Sequence, residues 1–127
     1  MGDSTWVDIT IYKKDYDKVI EVLGEPEEVN SDHSNKLLKL FYYEYNYAAY
    51  NELNSLAVQG VKFHGAHGNG GSYNAYCFVS NGKYFHEIRS DNESNPVVRC
   101  APGGPDKDEV EIAMTYYKLF EQFEDAV

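Results

Sequence analysis

Two strand-forming runs meet across Asn81-Gly82, and this dipeptide constrains the chain more than any other pair of residues in it. A type I′ turn needs positive φ at both central positions, which Asn and Gly adopt at little cost, so the stretch from 61 to 89 is expected to hold a hairpin. A two-residue turn would set Val79 opposite Tyr84, Phe78 opposite Phe85, Cys77 opposite His86 and Tyr76 opposite Glu87. Alternation then puts Ala75, Cys77, Val79, Tyr84, His86 and Ile88 on one face, and Tyr76, Phe78, Lys83, Phe85 and Glu87 on the other. The second face mixes rings with charge, as a partly exposed recognition surface does. Ahead of the hairpin, 61 to 64 reads as a short strand and 65 to 72 as a loop with four glycines in eight residues.

The remaining segments supply a sheet and helices around this hairpin. From Thr5 to Tyr12 the chain alternates, with Val7, Ile9 and Ile11 on one face, which is the pattern of a half-buried strand. Asp15 is placed to cap a helix carrying Tyr16, Val19, Ile20 and Leu23, which Gly24 and Pro26 stop. The acidic stretch 25 to 35 reads as a surface loop, and 36 to 45, apolar on both faces, as a central strand. Asn46 is a suitable N-cap for a second helix with Ala49, Tyr50, Leu53, Leu56 and Ala57 along one stripe, closed by Gly60.

After a polar turn region, 96 to 100 reads as an edge strand because it opens with Pro96. Pro102 to Pro105 breaks the chain, and Asp106 with Glu109 resembles a capping box opening a last helix to about Asp125. Its main stripe is Val110, Ala113, Met114, Tyr117 and Phe120, widened by Ile112, Tyr116, Leu119 and Phe123. The order β-α-β-α-β-β-β-β-α over residues 1–127 predicts one α+β domain, a mainly antiparallel sheet with about three helices packed against it.

Charge narrows the classes of partner. The 127 residues carry 21 acids against 11 bases, a formal net of −10. Affinity for a phosphate backbone rests on Lys and Arg displacing counterions, so direct nucleic-acid binding is disfavoured and a basic protein surface is the natural partner. Twelve tyrosines add rigid rings with polar tips, suited to a contact surface. No signal-peptide pattern and no membrane-length apolar run precede or interrupt these elements, so a cytoplasmic setting with Cys77 and Cys100 reduced is expected, away from membranes.

The chemistry-bearing residues complete no template. His64 and His67 have the spacing to begin a metal site, but no Cys-rich element or third His stands near them in sequence and nothing in the spacing requires Glu44, Glu87 or His86 to complete it through folding, so no metal or other cofactor is assigned. Gly68-Asn69-Gly70-Gly71 lacks the Lys-Ser/Thr ending of a phosphate loop, although its amides can cradle an anion. Cys77 opposite His86 would be a thiolate–imidazole pair, yet on an apolar strand face a thiol behaves as a small hydrophobe. Ser72 and Ser80 lack a nucleophile elbow, and no catalytic residue is assigned.

In size, acidity and lack of a catalytic motif the chain resembles the small inhibitor and immunity proteins of bacteria and their phages, a likeness of kind carried by composition and not by a matched motif. Together these readings predict an acidic cytosolic protein that neutralises a basic, nucleic-acid-binding protein partner, with homodimerisation open. Its expected contacts are His64, His67, Asn69 and Tyr73 in the Gly/His loop, with Tyr43, Tyr45, Glu27, Glu28 and Asp32. The alternative is a small-ligand or nucleotide-binding protein or enzyme using the loop from His64 to Tyr73.

Overall fold

The computed structural model describes residues 3–31 and 36–125, with side chains to 123. Strands β1 (Ser4–Tyr12), β2 (Glu28–Ser31), β3 (Leu37–Asn46), β4 (Lys62–His67), β5 (Tyr76–Asn81) and β6 (Phe85–Arg89) form one sheet in the order β2-β3-β1-β4-β5-β6. Every pairing is antiparallel. Helices α1 (Tyr16–Leu23) and α2 (Tyr50–Val58) cover one face, α3 (Lys107–Asp125) packs on the other, and the short strands β7 (Cys100–Ala101) and β8 (Gly104–Pro105) pair just before α3. The chain is thus the α+β fold, with an antiparallel sheet and three helices, that its patterning predicts.

The first face is closed. Val7, Ile9 and Ile11 of β1 alternate inward as expected and meet Leu40, Phe63 and Phe78 from the neighbouring strands and Val19, Leu53 and Leu56 from the helices, all at 1% exposure or less. Full burial of such side chains stabilises by about 1.5–3 kcal/mol each before the entropy of ordering them is subtracted. Tyr42 and Tyr45 lock α1 down by donating to Gly24 O (2.8 Å) and Leu23 O (2.9 Å).

The second face is only partly covered. Ala66, Cys77, Val79 and Ile88 pack against Tyr116 of α3, with Ala113, Leu119 and Phe120 around them. The helix packs on β4, β5 and β6 and reaches β1 at Tyr12, whose hydroxyl donates to Phe123 O (3.0 Å). β1, β3 and β2 otherwise present this face outward. Trp6 is 38% exposed, Phe41 is half-buried, and Glu28, Asn30 and Lys39 are exposed.

Several local expectations are corrected. Residues 28–31, read as loop, form edge strand β2, which pairs Val29 with Leu40; one apolar residue among polar ones leaves no pattern to recognise. β3 is therefore second from an edge, with Leu40 and Tyr42 buried on one face while Tyr43 is 57% exposed. β4 runs on to His67, because Gly65 lets Phe78 lie across it: a Cβ there would fall inside 3.0 Å of Asp8 O and of the Phe78 ring. The segment 96–100 is not one strand: Pro96 bridges Ser90, Val97 N donates to Arg89 O, Arg99 O accepts from Asp106 N while Arg99 N donates to Glu109, and Cys100 opens the small β7–β8 hairpin that turns within 102–105.

The β5–β6 hairpin forms, but its partners move by two residues. Val79 faces His86, Phe78 faces Glu87 and Cys77 faces Ile88. The cause is local: Asn81 Oδ1 accepts from Lys83 N (3.0 Å) and Tyr84 N (2.7 Å), which stabilises a longer loop than a two-residue turn. A two-residue slip preserves which side chains share a face, although the ring-bearing face, with Phe78 fully buried, is core and not a recognition surface.

Both early caps also differ. Asp15 makes no side-chain cap bond, and Lys13–Asp15 form a 3-10 turn instead. Asn46 ends β3, and the next three residues, Tyr47, Ala48 and Ala49, all adopt left-handed φ of 53–57°. Such residues cost on the order of 1 kcal/mol each. Burial of both alanines and the Tyr47 N to Asp3 O bond (2.7 Å) offset this cost. Asp106 does cap α3, accepting from Asp108 N and Glu109 N. The helix buries Tyr116 and Phe123, while Met114 (68% exposed) and Tyr117 (47%), placed in the main stripe from sequence, stand outside it.

Candidate partner-binding surface

Antiparallel order brings the end of β1 that begins at Ser4 together with the ends of β3, β4 and β6 that finish at Asn46, His67 and Arg89, and with the starts of β2 and β5. This end of the sheet holds Asp3, Glu27, Glu28, Glu44, Asp91 and Glu93. Its two arginines are engaged by one carboxylate: Arg89 Nη2 lies 2.7 Å and Arg99 Nε 3.8 Å from Glu109. The opposite end is mixed: Lys13, Lys14, Lys36, Lys62 and Lys83 stand where β1 ends, β3 and β4 begin, and β5 turns into β6, with Asp15 and Asp17 beside the first two. Sequence order hides the gathering of acids at the first end, which appears only once the strands are paired.

Tyr43 stands exposed among the acids. Its backbone N–H donates to Glu27 Oε2 (3.3 Å), and its hydroxyl bonds Glu28, so that bond and the adjacent negative charge hold the phenol above its usual range. Of the expected contacts, the structure thus sets Tyr43, Glu27 and Glu28 side by side. Tyr45 lies on the other face, its hydroxyl committed to α1, and Asp32 lies outside the described residues.

The Gly/His loop does not converge on a ligand. His64 and His67 are separated by Gly65 and Ala66 within a strand, but β4 pairs on both sides and the two rings point to different faces: His64 packs between Phe120 and Phe123 of α3, and His67 against Tyr73, Tyr76 and Phe78. Burial, aided by the charge of Lys39, pushes the His64 imidazole down to about 4. His67 is 4% exposed. Its Nδ1 donates to Gly68 O (2.8 Å), leaving Nε2 3.8 Å from Glu87. Neither imidazole is a surface contact.

The loop glycines make room for the chain's own groups. A Cβ on Gly68 would strike Trp6 and Thr5, and one on Gly70 the Tyr73 ring, all inside 3.0 Å. The amides of Gly71 (2.5 Å) and Ser72 (2.7 Å) donate to the carboxylate of Asp3, as does the Ser72 hydroxyl (2.5 Å). The nest suited to an anion thus holds one supplied by residue 3, and the Ser72 hydroxyl, followed by these amides, keeps the Asp3 carboxyl below its usual range. Asn69 Oδ1 accepts from Ala75 N (2.6 Å), and Tyr73 donates to Asp3 O (2.9 Å), so both are structural braces.

Cys77 does not meet His86. It is buried, donates to Ser94 O (3.2 Å) and is pushed up to about 11 by burial, while Cys100 is exposed and both thiols are free. Among the described residues no three His, Cys, Asp or Glu side chains gather closely enough to hold a metal ion, and no helix is long and apolar enough to cross a membrane. Asp3 carries no sequence signal, since it sits beside a strand end with no pattern of its own, whereas Glu44 offers a metal ligand and Glu109 a capping partner in an acidic helix start, and the structure gathers both at this end instead. Comparison of the chain with protein-family models, with curated proteins and with solved structures gives no match in any of the three.

Proposed function

We propose that the chain is an acidic binding protein that neutralises a basic, nucleic-acid-binding protein by occupying the surface that its nucleic acid would take, in the manner of inhibitor, immunity and phage counter-defence proteins. The observation that supports this reading is the acid-rich end of the sheet, where exposed Tyr43 is set between Glu27 and Glu28. Such a surface steers a basic partner in and gives it a rigid aromatic anchor. A nucleotide or metabolite at the loop from His64 to Tyr73 has no comparable support, since Asp3 holds the amides that an anion would use.

Capture of the partner from a lysate at rising salt tests the proposal. The captured protein is expected to be basic, to elute as salt rises, and to be displaced by nucleic acid. Glu27→Lys combined with Glu44→Lys is expected to abolish capture. A neutral or acidic partner, or capture indifferent to salt and to nucleic acid, would contradict it.

A further inference from the structure

The half of the sheet that α3 leaves open has the dimensions of a missing helix. Three strands about 4.8 Å apart span roughly 14 Å. An α-helix is about 10 Å across and packs 8–10 Å from its neighbour, so β2, β3 and β1 offer room for one helix beside α3. Trp6, Thr10, Lys39 and Phe41 form the floor, which a hollow of about 260 Å³ between Thr10, Asn30, Leu37 and Lys39 already indents. The wall follows from helical spacing. Ile112 of α3 lies by β6, and Leu119 by Lys62 and Ser80, so the opposite flank, Val110 and Tyr117, faces the open strands.

Charge selects the occupant. Among the described residues, Asp8 and Glu28 on the floor and Glu121 on the wall outnumber Lys39, whose ammonium lies 5.1 Å above the Phe41 ring, and Lys14, whose ammonium lies 5.8 Å from the ring of Tyr12 at the end of the floor. Asp8 is half-buried, and burial holds its carboxyl above the usual range despite the pull of Lys39, so a further cation beside it would be favourable. The α3 of a second copy, with six acids and two lysines, would bring like charge to this floor. We infer that the groove between α3 and strands β1, β3 and β2 receives a basic amphipathic helix of the partner protein, its apolar side on Trp6 and Phe41 and its Lys or Arg side chains on Asp8 and Glu28. This inference rests on the proposed function and adds the face and the partner element.

Trp6 is the single tryptophan, so its emission reports the groove directly. The full chain would be titrated with a Lys/Leu amphipathic helical peptide of about 18 residues, roughly 27 Å long, and with a scrambled peptide of the same composition. Only the amphipathic peptide is expected to shift Trp6 emission to the blue, and Phe41→Ala or Tyr117→Lys should weaken it about tenfold, the loss of one good contact. Tyr117 is 47% exposed, so Tyr117→Lys keeps the test independent of folding. Equal binding of both peptides, with amide shifts at Glu27 and Glu44 and none at Trp6, overturns the groove and leaves the charge reading standing. No salt-dependent binding of either peptide overturns both. A Trp6 already shielded in a dimer of the free protein overturns the partner helix in favour of a second copy.

Discussion

On the face under α1 and α2 every strand from β3 to β5 is covered, and Phe78 sits there fully buried against Phe63 and Phe85. Across the sheet, Phe41 is only half-buried, shaded by Lys39 and two strands away from the helix that covers the rest of that face. The same residue type therefore serves stability in one place and is left available in the other. Surface free for a partner therefore lies not in the glycine loop, whose space is filled by Trp6, Tyr73 and Asp3, but on the unfinished half of the second face and the acidic end that borders it.

The sharpest way to break this contrast is to truncate both phenylalanines. Phe78→Ala should cost about 3–5 kcal/mol in urea unfolding, the usual loss for a buried ring, whereas Phe41→Ala should cost under about 1 kcal/mol, as for a partly solvated site. Equal losses would mean that the second face is as closed as the first.

The covered part of the second face should show itself through pH. The folded pKa of His64, about 4, lies below the unfolded value of 6.5, so the unfolded chain binds the proton first as pH falls. Stability from the neutral, buried ring is whole above about 6.5 and drains away between 6.5 and 4, by on the order of 2–3 kcal/mol. Thermal unfolding across that window should slope accordingly, and His64→Phe should flatten the slope. An unchanged slope in the variant would place the titration elsewhere.

Smaller effects belong to the open surface. Tyr43→Ala and Tyr117→Ala should leave stability within about 1 kcal/mol yet reduce partner capture. A large loss of stability with capture intact would assign these side chains to packing. Asp3→Ala should change little beyond the loop: the Gly71 and Ser72 amides should exchange faster, with no gain in affinity for phosphate. In the unaltered chain the Asp3 contribution is present above the ordinary carboxylate range and is lost as pH falls through its lowered folded pKa. Tight phosphate binding by the Ala variant would return the loop to candidacy as an anion site.

How far the sequence could be read varies with the physics of each segment. The β1 alternation and the Asp106 cap are encoded by neighbours, and both emerged with their faces intact. β2 did not, because an edge strand exposed on all four residues needs no apolar period. The hairpin slipped by two because the Asn81 side chain, invisible to a turn rule based on φ, caps a wider loop. His64 and His67 looked like one cluster because Gly65 suggested a loop, whereas the glycine serves a strand that lies beneath Phe78. In the candidate site, Tyr43 with Glu27 and Glu28 was legible as composition. The role of Asp3, about seventy positions from its partners, depends on tertiary closure that no local pattern records.

Hydrogen–deuterium exchange of the whole chain, alone and with its captured basic partner, separates the two faces of the sheet. Slowed exchange is expected in β2, β3 and the outer flank of α3, with α1 and α2 unchanged. Protection confined to α1 and α2, or to the lysine-bearing end around Lys13, Lys36 and Lys62, would contradict that expectation.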